Sequence, residues 1–114
     1  MIDGYKFGSI TINGHHYDKD VIILSNGSII HPWWRKSGHR LTMADIQAVV
    51  EAAPELLIVG MGDSGLMKPD TGLHETLSAL GIEMKVAPTA LAVEDFNQAR
   101  EKGIRVAGCF HLTC

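Results

Sequence analysis

The sequence lacks the features that mark membrane, secreted and nucleic-acid-binding chains. No apolar run approaches the ~18 residues that a membrane-spanning helix needs, and the first residues carry no basic stretch followed by an apolar one. We therefore expect no signal peptide and predict a cytoplasmic location. The 10 lysines and arginines are scattered along a chain of net charge −3. Binding to a phosphate backbone needs clustered cations, so this distribution disfavours nucleic acid as a partner.

Cysteine and catalytic motifs are equally scarce. The two cysteines, Cys109 and Cys114, do not frame a metal site by themselves. If the final strand extends as far as Cys114, their odd separation places them on opposite faces, so we predict no disulfide. Cys109 and His111 share a face, but residues two apart on a strand lie roughly 7 Å apart, which is too far for a nucleophile–base pair. The sequence therefore predicts Cys109 as a core residue.

No constellation of residues points to catalysis or to a bound cofactor. The chain has no carboxylate pair in a catalytic arrangement, no Ser-His-Asp order and no phosphate-binding Gly-Lys-Ser/Thr motif. Its 6 histidines show no metal-binding spacing. We assign no catalytic residue, no cofactor and no metal from the sequence.

What the sequence does contain is typical of one globular domain over residues 1–114. Apolar residues make up 46% of the chain and charged residues 20%, an ordinary globular composition. Asn13-Gly14 and Asn26-Gly27 are strong hairpin signals, because the tightest hairpin turns need positive φ. These turns predict an N-terminal three-stranded antiparallel meander. Its runs are Tyr5–Ile12, His15–Leu24 and Ser28–Trp34.

The remainder alternates between helix and strand signals. Short apolar runs predict buried strands at Glu55–Gly60, Ile82–Ala87 and Arg105–Leu112. Helices are predicted from an N-cap at Thr42 to the break at Pro54, near Thr71–Leu80, and from a cap at Thr89 to Gly103. This order predicts an α/β fold of three layers, in which helices flank a central mixed sheet.

A glycine-rich segment follows the first of these buried strands. Gly60-Met61-Gly62-Asp63-Ser64-Gly65 fits the G-x-G-x-x-G pattern, but Leu66–Asp70 separates it from the next helix, which disfavours a dinucleotide site. Ligands of open α/β sheets sit beyond the carboxyl ends of the strands. The candidate ligand crevice therefore comprises Gly60, Gly62, Asp63, Ser64 and Thr89. The alternative is that Thr89 only caps its helix and the loop is an ordinary turn.

A tryptophan pair forms the second candidate site. Adjacent residues in a strand face opposite ways, so one of Trp33 and Trp34 is expected in the core and the other in solvent. An exposed tryptophan beside Arg35 has the composition of an interface hot spot. We predict a contact for a protein partner at Trp33, Trp34 and Arg35. The alternative is a tryptophan that lies over the sheet edge and bonds locally.

Several segments together resemble one known family. They are Tyr5–Gly8, Trp33-Trp34-Arg35, Leu56–Gly62, Gly81-Ile82, Thr89, Ala92, Asn97, Gly103 and the ending from Arg105 to Cys114. Nearly the whole chain resembles the adipogenesis-associated Mth-type domain proteins, a family of uncharacterised function that also includes a mitochondrial complex I assembly factor. The resemblance implies a three-layer α/β fold and no established activity.

Two functional hypotheses follow from the residues and the resemblance together. The first is a non-enzymatic cytosolic assembly or regulatory factor that acts through protein contacts. The second is a small-molecule or anion-binding protein, or an enzyme, with its site at residues 60–65. The sequence leaves the oligomeric state open.

Overall fold

A computed structural model describes residues 1–114 as three layers around a mixed sheet. The strands are β1 Ile2–Lys6, β2 Ser9–Ile12, β3 His15–Tyr17, β4 Val21–Ile23, β5 Ile29–Ile30, β6 Arg40–Leu41, β7 Leu56–Met61, β8 Lys68–Pro69, β9 Glu83–Ala87 and β10 Val106–His111. The helices are a 3-10 turn at Met43–Ile46, α1 Gln47–Glu51, α2 Leu73–Ala79 and α3 Thr89–Glu101. The predicted fold class is confirmed.

The central sheet has five strands in the order β5-β4-β10-β7-β9. Strands β10, β7 and β9 run parallel, whereas β4 and β5 join antiparallel. Gly60 pairs with Ala87 at the carboxyl ends of β7 and β9, which therefore end side by side as the sequence predicts. On the far side of β7, Gly60 pairs with Phe110 of β10. The carboxyl ends of all three parallel strands thus meet at one edge of the sheet.

Each face of this sheet has its own apolar core. Alternation along β10 sends Ala107 and Cys109 to one face and Val106 and Phe110 to the other. The first face is covered by the 3-10 turn, α1 and α2, and the second by α3 together with β1 and β2. Asn97 of α3 ties the N-terminal strand down, since its side chain bonds both the N–H and the C=O of Ile2, at 2.9 and 2.8 Å.

The N-terminal meander exists but is built from other residues than the sequence suggested. A turn at Phe7-Gly8 splits the first predicted run, so β1, β2 and β3 form the three-stranded sheet. The remainder of the second run becomes β4 of the central sheet, because its Val-Ile-Ile segment is buried on both faces. The third run ends as a strand at Ile30, and Trp33 and Trp34 lie in an irregular segment beyond it.

The helix boundaries show one informative error. Pro88, and not Thr89, occupies the N-cap of α3, with φ −54° and ψ 147°. Thr89 is the first helical residue, and its hydroxyl makes no capping bond. The small parallel pair β6 and β8 was also missed, since two residues give no periodicity to detect.

Candidate functional site

Thr89 and two glycines form a closed contact at the carboxyl edge of the sheet, here called the threonine cluster (Gly60, Gly62, Thr89). The Thr89 side chain is completely buried. Its hydroxyl donates to the carbonyl oxygen of His111 at 2.6 Å and accepts from the Gly62 N–H at 2.9 Å. The Thr89 N–H donates to the Gly62 carbonyl at 3.1 Å. Thr89 therefore joins β7, β10 and α3.

The two glycines of this cluster are required because neighbouring atoms lie too close to leave room for a Cβ. A Cβ on Gly60 would lie 2.9 Å from the Thr89 hydroxyl oxygen and 3.1 Å from the Phe110 ring. A Cβ on Gly62 would lie 2.7 Å from the carbonyl oxygen of Cys114. Gly62 also has φ +98°, a conformation that favours glycine. Packing of the protein on itself accounts for both glycines.

The backbone of the rest of the glycine-rich loop is also bonded within the protein. The Asp63 N–H donates to the Thr113 carbonyl at 2.7 Å and the Gly65 N–H to Gly62 at 3.3 Å. The Asp63 and Ser64 side chains are exposed. The carbonyl of Leu112 is held by the Gly8 N–H at 2.9 Å and the Tyr5 hydroxyl at 3.1 Å. The carbonyl oxygens of Thr113 and Cys114 thus lie against Gly62, one of the residues of the predicted crevice.

The two tryptophans divide as the sequence predicts, one in the core and one in solvent. Trp33 is 5% exposed, and its indole N–H donates to the Asp45 carbonyl at 2.9 Å. Trp34 is 75% exposed, more than any other large apolar residue of the protein. It stands on the segment between β5 and β6.

Arg35 points inward. Its side chain is only 5% exposed, and its guanidinium stacks 4.6 Å above the Trp33 ring. The Nη1 nitrogen forms an ion pair with Asp20 Oδ2 at 2.8 Å. Nε and Nη2 donate to the Gly38 carbonyl at 3.2 and 3.0 Å. Of the three residues predicted to contact a partner, Trp34 alone presents its side chain to solvent.

Asp20, Arg35 and His111 make up a second group, here called the charged cluster. His111 Nδ1 lies 2.7 Å from Asp20 Oδ2, while the Leu112 N–H donates to Asp20 Oδ1 at 2.8 Å. Burial alone raises the pKa of Asp20, but hydrogen bonds from His111 and Leu112 and the nearby guanidinium of Arg35 outweigh it, so the pKa is lowered. Asp20 is therefore a carboxylate at neutral pH, and a carboxylate only accepts. The proton of a neutral His111 then belongs on Nδ1.

The charged cluster holds the only two buried side-chain polar atoms without a hydrogen-bond partner, His111 Nε2 and Arg35 Nη1. Nη1 is close enough to Asp20 for an ion pair, but its N–H bonds are not aligned with that oxygen. Arg35 Nη2 also lies 3.1 Å from His111 Nδ1, the atom that already faces Asp20. The cluster is therefore electrostatically paired but incompletely hydrogen-bonded, whereas most buried polar groups are satisfied.

A cleft of about 340 Å³ lies over this cluster. Its walls come from residues 18–20, residues 32–35 with Gly38, and residues 111–113. Trp34 stands at the cleft with Lys19 and Asp18, so the opening carries both signs of charge. Sequence reasoning missed Asp20, because it is one polar residue in a polar turn. His111 carried a weak signal, as a polar residue on the same strand face as buried Cys109.

Cys109 and Cys114 have different environments and are not bonded to each other. Cys109 is fully buried in the core, as predicted, and burial raises the pKa of its thiol. Cys114 is exposed and lies beyond β10, which ends at His111. No three His, Cys, Asp or Glu side chains stand close enough together to hold a metal ion. None of the helices has the length and apolar character needed to cross a membrane.

The fold and this edge define a mixed α/β domain in which both candidate regions meet at the end of one central strand. A model of the DUF498/DUF598 family, whose description is "protein of unknown function", matches residues 2–111. The chain belongs to this family.

Solved structures of similar proteins share the whole fold. The structure described as MT938 is 29% identical, with a TM-score of 0.84, and the match covers 100% of this chain and 98% of that one. The hypothetical protein PH1505 from Pyrococcus horikoshii is 22% identical, with a TM-score of 0.83 and coverage of 100% and 99%. A Mth938-like domain from Bordetella pertussis is 18% identical, with a TM-score of 0.79 and coverage of 98% and 85%.

Proposed function

We propose that this protein is a binding factor without catalytic chemistry of its own, which contacts a protein partner through Trp34. The observation that carries the proposal is the 75% exposure of a tryptophan on a segment whose neighbouring residues are fixed. Tryptophan is among the residues that dominate binding energy at interfaces. A role in assembly or regulation in the cytosol, as the family resemblance implies, is part of this proposal.

The segment around Trp34 is anchored on both sides. The Trp33 N–H donates to the Asp20 carbonyl at 2.8 Å, and its indole bonds Asp45. The Lys36 N–H donates to the Asp45 carboxylate at 3.1 Å. A partner that binds Trp34 would meet a preordered surface, so little conformational entropy is lost on binding.

The alternative, a small-molecule or anion site at residues 60–65, has less support. An anion at such a loop is held by free backbone N–H groups. The N–H groups of Gly62, Asp63 and Gly65 all donate within the protein. Thr89, the hydroxyl assigned to that crevice, is fully buried and bonds Gly62 and His111.

The test compares proteins captured by the wild type, Trp34→Ala and Phe7→Ala. Phe7 is a matched control because it is also a strongly exposed aromatic residue, at 61%, but lies in the turn between β1 and β2. Captured proteins are measured by quantitative mass spectrometry. The partner is then purified, and its dissociation constant is measured against all three chains.

We expect Trp34→Ala to weaken binding of the purified partner by more than tenfold, about the effect of a hot-spot residue, and Phe7→Ala to leave it unchanged. Equal binding by all three chains would contradict the proposal. A metabolite that raises the melting temperature, with the effect lost in Asp63→Ala, would support the alternative site.

A further inference from the structure

The outer edge of β9 is one of the two open edges of the central sheet. Strand β9 is the last in the order and pairs only with β7. Its exposed residues are Glu83, Lys85 and Val86. We propose that β9 pairs with β9 of a second copy of this chain, antiparallel and centred on Met84, so that the two central sheets become one.

The backbone of β9 has the hydrogen-bonding groups for this pairing. The Glu83 N–H donates to the Glu55 carbonyl at 3.0 Å, on the β7 side. Because peptide groups alternate in direction along a strand, those of Met84 and Val86 point away from β7. In the pairing centred on Met84, the Met84 N–H and C=O bond the same groups of the second copy, and the Val86 N–H reaches the Ile82 carbonyl.

The usual protections of an edge strand are weak here. Edges are blunted by bulges, by proline, by covering elements or by charged side chains, lysine above all. The register of β9 with β7 is unbroken over all its residues, and no proline interrupts it. The one lysine, Lys85, lies 3.3 Å from Asp95 of α3, but 57% of its side chain stays exposed, so its ammonium can still pair with a carboxylate on an added strand.

Charge complementarity selects a second copy as the occupant. In the antiparallel pairing centred on Met84, Glu83 of each copy lies opposite Lys85 of the other. Both sit at non-hydrogen-bonded positions, where side chains are closest. Opposite charges across such a pair stabilise a sheet, and like charges destabilise it. A pairing centred on Lys85 would instead place the two lysines together, so the charges fix the register.

The other face of the same pairing is apolar. Ile82, Met84 and Val86 share one side of β9; Ile82 and Met84 are buried in the core of their own chain, and Val86 is 43% exposed. Centred on Met84, the pairing places each Val86 against Ile82 of the second copy and the two Met84 side chains side by side. One face of the junction is therefore charge-paired and the other apolar, and the same two-fold axis generates both.

The test measures the mass of the protein by sedimentation equilibrium from micromolar to millimolar concentration. The wild type is expected to pass from monomer to dimer. Glu83→Lys and Lys85→Glu alone each place like charges opposite one another, and each should weaken dimerisation by about tenfold or more. Glu94→Lys and Lys6→Glu change the net charge equally at exposed positions outside β9, and should leave dimerisation unchanged.

Two rescues make the test specific. The double variant Glu83→Lys/Lys85→Glu restores opposite charges and should dimerise like the wild type. A mixture of the two single variants should form a heterodimer, because one chain then carries two lysines and the other two glutamates. Val86→Pro removes the outward N–H without touching the β7 pairing and should abolish the dimer.

A wild type that stays monomeric at every concentration, or variants that all dimerise alike, would overturn the proposal.

Discussion

The two clusters at the carboxyl edge of the sheet meet at one residue but are built on opposite principles. The His111 carbonyl accepts the Thr89 hydroxyl, while the His111 ring faces Asp20 and Arg35. The threonine cluster is uncharged, and its hydroxyl both donates and accepts. The charged cluster leaves two buried atoms without a hydrogen-bond partner. One side of His111 is thus closed and satisfied, and the other is ionic and incompletely bonded.

The surroundings of the two candidate sites differ in the same way. A glycine-rich loop suggests space for a ligand, yet here the absent side chains make room for the protein's own Thr89 and C-terminal residues. The Trp-Arg segment suggests a surface, yet Arg35 is drawn inward by Asp20 and leaves Trp34 outside on a fixed base. The internal ion pair is therefore one of several contacts that hold the segment carrying the exposed tryptophan.

Disrupting the charged cluster should lower the free energy of unfolding more than disrupting the threonine cluster. Asp20→Ala leaves the Arg35 guanidinium, 5% exposed, without its counter-charge. Removing one partner of a buried ion pair costs about 3–5 kcal/mol. We expect the free energy of unfolding, measured by urea denaturation at pH 7, to fall by this amount.

The control for this variant is Asp20→Asn. The amide keeps an oxygen that accepts from the Leu112 N–H but removes the charge, so its cost should be the smaller of the two. A cost below about 1 kcal/mol for Asp20→Ala, against the several expected for a buried pair, would show that Arg35 reaches solvent when its partner is lost. The Trp34 segment would then be held mainly by the bonds of Trp33 and Lys36.

The contribution of the threonine cluster to stability should depend on the Thr89 hydroxyl. Thr89→Val keeps the shape of the side chain but leaves the Gly62 N–H and the His111 carbonyl unsatisfied in a buried place. We expect a loss of about 2–4 kcal/mol in the free energy of unfolding, measured by the same urea denaturation. Thr89→Ser keeps the hydroxyl and loses one methyl group, so it should cost only about 1 kcal/mol. Equal losses in the two variants would mean that packing, and not hydrogen bonding, holds this edge.

The strands around both clusters were predictable because their signals are local. The observed bounds of β7, β9 and β10 lie within one residue of the predicted ones, since continuous apolar runs mark buried parallel strands. Thr89 was misplaced by one residue because proline and threonine both suit a helix start. The inward turn of Arg35 was not predictable. Burial of arginine is exceptional unless it is paired, and Asp20 gives no local sign that it is the partner.

The pairing of Asp20 with His111 was also not predictable from local patterns, because 91 positions separate the two residues in the chain. No local pattern joins two residues that distant. They meet because β4 lies antiparallel to β10 in the sheet, and Asp20 immediately precedes β4. With β4 recognised as part of the central sheet, the side chains at its start would have been expected beside the end of β10.

The smallest expected effect is a difference in how the stability of the two clusters depends on pH. The folded-state pKa of Asp20 is lowered, so the stability that this carboxylate contributes is present above its unfolded pKa of about 3.9. It is lost as the pH falls through the lower, folded value.

The threonine cluster has no titrating side chain. Between pH 5 and pH 3, Thr89→Ser should therefore lose as much stability as the wild type. Asp20→Asn should lose measurably less stability than the wild type over the same range. Urea denaturation of all three chains at both pH values measures the difference. Equal losses would mean that Asp20 is no better stabilised as a carboxylate in the folded protein than in the unfolded one.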